Sequence, residues 1–324
     1  MSGVLVIRPS SLGDVVHALP IVADIARHAP HLEVEWVAED AFAPLVRLHP
    51  GIRRVIPVGL RRWRHHLLER GTWAEFDAFR RAVREHRYAA VLDLQEQMKG
   101  AIMARLARGP RHGFARGSVR EPASTFLHDI HHAIDPALHF EDRCRMLAGG
   151  ALGYRPEDAP RYGLMPPSMP PGFVPDAPYA VCVHATSRDD KLWPQARWHT
   201  LLTGLGVAGL CSLLPWGSAA ERVRSEEIAR GHPHASVPPR HALPAIAAML
   251  RCATVVIGVD TGLVHLAAAL GTPTIALFTR TDPVRAGVSI AGPHAVDLGG
   301  IGTVPTADAV LAVVQGMLRV SPPC

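Results

Sequence analysis

Residues 255–278 constrain the fold of this chain more than any other segment, because they read VVIGVDTGLVHLAAALGTPTIALF. An apolar, β-branched run ends at Asp260, Thr261 and Gly262 form a turn, and a short helical pattern leads to a second apolar run. This order of strand, turn, helix and strand is typical of a parallel sheet, and the backbone N–H groups at such a helix start attract anions. His265, one turn into the helix, is a further candidate for a ligand contact at this turn. An ordinary βαβ unit with a capping Asp-Thr pair and a packed histidine would show the same pattern.

Strand and helix patterns alternate in both halves of the chain, and a proline-rich segment separates the halves. Residues 155–178 contain eight prolines, which favours an interdomain linker because proline continues neither a helix nor a central strand. We therefore predict an α/β fold of two Rossmann-like parallel-sheet domains, over residues 1–165 and 166–324. The last helical pattern, at 306–318, is a candidate to pack back on the amino-terminal domain.

Composition narrows the class of protein. The 324 residues are 48% hydrophobic and 19% charged, as in a globular protein, and the net charge of +5 favours partners that carry phosphate or carboxylate groups. The sequence has no long basic run and no zinc-finger spacing, which argues against a nucleic-acid partner. The five cysteines form no CxxC pair, and neither a signal peptide nor a membrane-spanning apolar run is visible. We therefore expect a cytoplasmic protein with reduced thiols.

Asp14 is a candidate catalytic base. It lies in the segment RPSSLGDVVHALP at residues 8–20, where Gly13 permits a tight turn between a strand and a helix. A carboxylate at the carboxyl edge of the sheet could take the proton of an attacking sugar hydroxyl, and a positioned base contributes roughly 10² to 10⁴ in rate. An aspartate that only caps the helix would occupy the same position.

Two polar segments of the second half also follow predicted strands. HATSRDDKLWP, at residues 184–194, offers the hydroxyls of Thr186 and Ser187 and the ammonium of Lys191, which together suit a diphosphate. Glu221, in PWGSAAE, could accept two hydrogen bonds from a ribose diol. The alternatives are a solvated loop of paired charges and a first-turn glutamate that meets the helix dipole.

The order of these segments resembles glycosyltransferase family 9, the bacterial heptosyltransferases. The resemblance covers nearly the whole chain and implies the GT-B fold, in which two Rossmann-like domains face a central cleft. It rests on SSLGDVVHALP, EWVAEDAFAPL, VIPVGLRRWR, REP at 120–122, HATSRDDKLWP, LPWGSAAE and VDTGLVHLAAAL, of which RDDKLWP and VDTGLVHL are the most specific to the family.

The resemblance implies an inverting transfer of L-glycero-D-manno-heptose from ADP-heptose to a Kdo sugar of lipid A, with neither a metal nor another cofactor. The amino-terminal domain would bind the acceptor and the carboxyl-terminal domain the donor. Asp14 would be the base, and Lys191 would stabilise the leaving phosphate. The positions that match donor contacts are Thr186, Ser187, Lys191, Glu221, His241, Asp260, Thr261, Gly262 and His265.

The same resemblance implies an acidic acceptor and an enzyme peripherally associated with the inner leaflet of the cytoplasmic membrane. Guanidinium groups bind the carboxylates and phosphates of such an acceptor well, although a solvated basic face would show the same residues. Trp63, between arginines, either packs inward or lies at the lipid headgroups. The positions that match acceptor contacts are Ser10, Ser11, Gly13, Arg61, Arg62, Arg64 and Arg120.

Three positions depart from the family pattern, and several rival functions stay open. Glu96 replaces an expected glycine in LQEQMKG, His65 an expected lysine, and His241 an apolar residue that contacts the base. The rivals are a heptosyltransferase that uses an already heptosylated acceptor and a non-catalytic binder of sugar nucleotides or lipopolysaccharide. A dinucleotide oxidoreductase is disfavoured because SSLGD lacks GxGxxG. A metal site is disfavoured because the 19 histidines include no HExxH.

Overall fold

The chain folds as two compact units, residues 1–165 and 166–324. The structure is a computed structural model that describes residues 3–170, 172–186 and 188–320. Within these residues no helix combines the length and the apolar character needed to cross a membrane.

The first unit is one sheet of six parallel strands in the order β3-β2-β1-β4-β5-β6, with helices in the crossovers. Its elements are β1 (Gly3–Ile7), α1 (Leu12–Ala18), α2 (Pro20–His28), β2 (Glu33–Glu39), α3 (Ala43–Val46), β3 (Ile52–Val58), α4 (Leu60–Trp63), α5 (Arg70–Arg84), β4 (Tyr88–Asp93), α6 (Met98–Leu106), β5 (Arg111–Phe114), β6 (Ile130–His132) and α7 (Phe140–Leu152).

The turns after β1 and β4 lie at the carboxyl ends of two neighbouring strands at the middle of the first sheet. β1 is central, with Val6 paired to Trp36 of β2 on one side and to Leu92 of β4 on the other. All three residues are fully buried, as expected for strands covered by helices on both faces. The strand order reverses direction at β1, and α/β sheets bind ligands at the carboxyl ends of the strands at such a switch point.

The second unit repeats this architecture. Its six parallel strands have the order β12-β11-β10-β7-β8-β9, which is the order of the first unit read from the other edge. Its elements are β7 (Tyr179–Val183), α8 (Gln195–Val207), β8 (Cys211–Leu213), α9 (Ala219–Ala229), β9 (Ala235–Ser236), α10 (Leu243–Arg251), β10 (Val255–Val259), α11 (Gly262–Ala269), β11 (Thr274–Phe278), α12 (Pro283–Ala286), β12 (Ala295–Gly299) and α13 (Ala307–Val320).

The predicted α/β fold of two Rossmann-like parallel-sheet domains is confirmed by these two sheets. The described residues of the proline-rich segment 155–178 form neither helix nor strand, because proline lacks the N–H that both need. The last helix, α13, packs against α8 of its own unit, where Val310 and Val314 join the core around Trp193 and Trp198.

Candidate functional site

In the first unit the carboxylate of Asp14 lies in the first turn of α1, directly after the turn that follows β1. Its Oδ2 accepts hydrogen bonds from the backbone N–H of Ser11, at 2.8 Å, and from the Ser11 hydroxyl, at 2.9 Å. Its Oδ1 accepts from Nη2 of Arg8 at 2.8 Å. Asp14 therefore takes part in the capping of α1, and it also pairs with the buried guanidinium of Arg8.

Arg8 fixes Asp14 from beneath. Arg8 is only 2% exposed, and it also donates to the backbone carbonyls of Leu94 and, at 3.2 Å, of Asp14 itself. Burial alone would raise the pKa of Asp14, but the charges of Arg8 and Arg120 and the hydrogen bonds from Ser11 outweigh it and lower this pKa. Asp14 is thus a carboxylate at neutral pH. Its side chain keeps 17% of its surface exposed, so the charged group is accessible.

Other predicted acceptor residues surround Asp14. The hydroxyl of Ser10 accepts from Nζ of Lys99 at 2.9 Å, and burial lowers the pKa of that lysine. Nη2 of Arg120 lies 4.0 Å from Oδ1 of Asp14, while Gly13 lies in the first turn of α1. The structure therefore brings together Ser10, Ser11, Gly13, Asp14 and Arg120.

The arginines in and directly after α4 differ in their pairing with acidic side chains. Nη1 of Arg62 donates to both carboxylate oxygens of Glu75, at 2.5 and 2.7 Å. Its Nη2 donates to Oδ2 of Asp40 at 2.8 Å. Arg62 is thus already neutralised by two carboxylates. Arg61 and Arg64 are exposed. Trp63 packs inward: it is 7% exposed and donates from Nε1 to Glu75 at 2.7 Å.

In the second unit Asp260 is the centre of a polar cluster at the carboxyl ends of β7 and β10. Its Oδ2 accepts from Nζ of Lys191 at 2.6 Å, Nε2 of His265 lies 3.3 Å from its Oδ1, and Thr186 donates to its backbone carbonyl at 3.3 Å. Burial opposes ionisation, but His265 and Lys191 together lower the pKa of Asp260. Thr261 is the N-cap residue of α11, so Gly262 is its first residue.

Three predicted donor residues lie outside this cluster or outside the described residues. Glu221 takes part in a capping box, in which it accepts from the backbone N–H groups of Gly217, at 2.7 Å, and Ser218, at 3.3 Å. The ring of His241 lies 4.2 Å from that of Phe173. Ser187 is not among the described residues.

Sequence reasoning missed Arg8 and Arg143 and gave Glu96 no role. All three are buried charges of the first unit, and Nη1 of Arg143 donates to Glu96 at 3.0 Å. A signal for Arg8 exists, since a charged residue that ends the buried run VLVI needs a partner. Arg143 and Glu96 are 47 positions apart, and no local pattern links them. No group of three or more metal-ligating side chains occurs within residues 3–170, 172–186 and 188–320.

Comparison with known proteins places these sites in context. Residues 76–302 match the model of glycosyltransferase family 9 (heptosyltransferase). Over 86% of this chain and 89% of the relative, the sequence is 40% identical to lipopolysaccharide heptosyltransferase 1 of Salmonella typhimurium. The fold is similar to that of E. coli heptosyltransferase WaaC with ADP (TM-score 0.88, 35% identity) and with ADP-2-deoxy-2-fluoro heptose (TM-score 0.84, 35% identity). Each alignment covers 97% of this chain and 99% of the other. The expected GT-B fold is confirmed.

Proposed function

This chain belongs to glycosyltransferase family 9, the heptosyltransferases, and from this premise we propose the substrates and the residue roles of its reaction. It acts as heptosyltransferase I of the lipopolysaccharide inner core: it transfers L-glycero-D-manno-heptose from ADP-heptose to the first Kdo of Kdo2-lipid A, with inversion. The observation that carries the assignment of roles is the accessible carboxylate of Asp14, kept ionised at the switch point of the first unit.

The second unit holds the donor. Lys191 and the first N–H groups of α11, at Gly262, bind the diphosphate together with the hydroxyls of Thr186 and Ser187. In the free enzyme Asp260 holds Lys191 in place. As the bond from the anomeric carbon to the phosphate oxygen breaks, the negative charge that develops on ADP is stabilised by these fixed groups.

Other donor contacts come from the start of α11, the first turn of α9 and the loop before α10. Thr261 and His265 flank the diphosphate and the heptose. Glu221 accepts hydrogen bonds from the ribose hydroxyls, and His241 contacts the adenine once Phe173 has moved from its ring.

Asp14 of the first unit takes the proton of the Kdo hydroxyl while the oxygen of this hydroxyl attacks the anomeric carbon. Inversion requires a single attack from the face opposite ADP, so one base suffices and no covalent intermediate forms. The lowered pKa of Asp14 makes it a weak base in the free enzyme. When an acidic group of the acceptor engages Arg120, one positive charge beside Asp14 is neutralised, which raises this pKa towards the range that suits proton transfer.

The segment after β3 supports docking at the inner leaflet of the cytoplasmic membrane. Arg61 and Arg64 are exposed there, next to Leu67 and Leu68, which are 57% and 100% exposed, and to Trp73, which is 59% exposed. Apolar side chains amid cationic ones bind an anionic lipid surface through both burial and charge. The acidic acceptor lies in such a surface.

An assay of ADP release, crossed over acceptors, tests the proposal. ADP-heptose is supplied with Kdo2-lipid A, with the same acceptor already carrying the first heptose, or with no acceptor, each with and without excess chelator. We expect ADP release when Kdo2-lipid A is the acceptor, and no release with the heptosylated acceptor or without an acceptor. Excess chelator should not reduce this release. Release only with the heptosylated acceptor would indicate the sibling activity, and binding of ADP-heptose without any release would indicate a non-catalytic binder. Strict loss in chelator would indicate a metal requirement.

A further inference from the structure

Glu96 occupies a backbone conformation that suits glycine. Among the residues that the structure describes, it is the one residue other than glycine whose φ lies in the left-handed region, at 61°. A residue with a Cβ adopts this region at a cost, and such a conformation persists where the surroundings enforce it. Glycine would adopt it freely. Any role that Glu96 has and glycine could not have must therefore come from the contacts of its side chain.

The carboxylate of Glu96 is buried between two arginines. Its residue is 4% exposed. Oε1 accepts from Nη1 of Arg143 at 3.0 Å, and Oε2 lies 3.9 Å from Nε of Arg120. Arg143 is itself fixed, because it is 2% exposed, donates to the backbone carbonyl of Ser118 and stacks over Phe114 at 4.8 Å. A fixed arginine thus holds Glu96, which leaves the second oxygen directed to Arg120.

Arg120 is the exposed partner of Glu96, and its guanidinium stacks over Phe140 at 5.2 Å. Its side chain is 47% exposed, and its guanidinium faces two carboxylates: Nη2 lies 4.0 Å from Oδ1 of Asp14, and Nε lies 3.9 Å from Oε2 of Glu96. Neither distance is a direct hydrogen bond, so the cation is shared and not committed to one acid. The backbone joins the same two loops, since the N–H of Glu121 donates to the carbonyl of Glu96 at 3.1 Å.

We propose that Glu96 is a positioning residue for the acceptor: by attracting Nε of Arg120 while Nη2 faces Asp14, it competes with Asp14 and stops this arginine from closing onto it. Arg120 then remains available to an anionic group of the acceptor, and Asp14 remains available to the attacking hydroxyl. This inference rests on the proposed function, and it adds a residue that acts through Arg120 without touching substrate. The alternative is that Glu96 only neutralises the buried charge of Arg143.

A double-mutant cycle distinguishes the positioning role of Glu96 from a role that only neutralises Arg143. Glu96→Gln keeps an oxygen for Arg143 but removes the charge that attracts Arg120. We expect the KM and the Kd for Kdo2-lipid A to rise about tenfold, the size of coupling typical of neighbouring charges, while the KM for ADP-heptose stays unchanged. In an Arg120→Ala background the same change should alter acceptor binding less than about twofold, because its target is gone. Glu85→Gln, a surface acid of the same unit that is 55% exposed, is the matched control.

Each outcome decides something. If Glu96→Gln is unstable, the double variant Glu96→Gly/Arg143→Met removes the carboxylate without leaving a buried arginine unpaired and relieves the strained backbone, and we expect the same rise in acceptor KM. An unchanged acceptor KM in an active, folded Glu96 variant, or an undiminished effect in the Arg120→Ala background, would overturn the positioning role alone. Wild-type protein that neither binds Kdo2-lipid A in a titration nor releases ADP with it would overturn the proposed function, and this inference with it.

Discussion

Asp14 in the first unit and Asp260 in the second are both carboxylates that follow a central strand and lead into a helix, but their cations differ. Arg8, the partner of Asp14, is 2% exposed and comes from the same turn. Lys191, the partner of Asp260, is 19% exposed and comes from the neighbouring turn, 69 positions away. A buried arginine in a fixed hydrogen-bond set cannot leave its acid, whereas a partly exposed lysine can turn to a ligand. This contrast supports the proposed roles, in which Asp14 acts as the base and Asp260 holds Lys191 for the donor.

Removal of the first carboxylate should have the largest effect on the reaction. We expect Asp14→Ala to lower kcat by about two decades or more, because a positioned base contributes roughly 10² to 10⁴. The Kd for ADP-heptose should stay nearly unchanged, since we propose that the second unit holds the donor. ADP release at saturating substrates and a calorimetric titration measure the two quantities. Asp14→Asn retains a hydrogen-bonding oxygen for Arg8 and controls for folding. Normal turnover in either variant would remove Asp14 from the base role.

Removal of Lys191 or of Arg8 should have the next largest effect, and the two variants should differ in donor binding. Loss of a charged hydrogen bond to the diphosphate would cost about 1.5–3 kcal/mol, so Lys191→Met should raise the KM for ADP-heptose roughly 10- to 100-fold. It should also lower stability by about 1–3 kcal/mol, because Asp260, which is 9% exposed, loses its cation. Arg8→Met should lower stability by a similar amount, because Asp14 and the carbonyl of Leu94 lose a charged donor, but it should leave the KM for ADP-heptose unchanged. Thermal unfolding and donor kinetics of both variants check this contrast. A Lys191 variant that unfolds early but binds donor normally would contradict it.

The pH dependence of stability should also differ between the units. Burial lowers the pKa of His184 in the second unit to about 4. The unfolded chain, whose histidine pKa is about 6.5, therefore binds a proton that the folded unit does not, and stability is lost as pH falls from about 6.5 to 4. In the first unit burial similarly lowers the pKa of His112 to about 4, but burial raises the pKa of Glu141 to about 8. Glu141 stabilises the fold below pH 4.5 and loses this contribution as pH rises to 8, which opposes His112.

Calorimetric unfolding at pH 7, 6 and 5 measures this difference. We expect His184→Gln to reduce the loss of stability at pH 5 relative to pH 7, because the titrating imidazole is gone. Glu141→Gln should enlarge the loss, because the opposing group is gone. Equal pH dependence in wild type and both variants would show that other groups control acid stability.

Local patterns in the sequence predicted the two parallel sheets and the turns at which Asp14 and Asp260 lie, since alternation of β-branched runs with helical periods is a short-range signal. The pairing of Lys191 with Asp260 depends on β7 lying beside β10, and a single sequence does not determine that order. The same holds for Trp63, whose burial depends on Phe79 of α5. The acceptor role of Arg62 stays a prediction, and the sequence did not indicate that Glu75, 13 positions away, and Asp40 pair with it in the folded unit.

The smallest expected effect concerns Glu221, whose carboxylate has two possible uses. As a helix cap it satisfies the N–H groups of Gly217 and Ser218, and as a donor contact it would accept from the ribose. Ser218→Ala removes the other half of the capping box and should cost about 1 kcal/mol of stability without changing the KM for ADP-heptose. Glu221→Ala should cost a similar amount of stability and also raise this KM several-fold, about 1 kcal/mol of binding. Thermal unfolding and donor kinetics compare the pair. Equal stability losses with an unchanged KM in both variants would leave Glu221 with the capping role alone, and the proposed donor site would then lose its ribose contact.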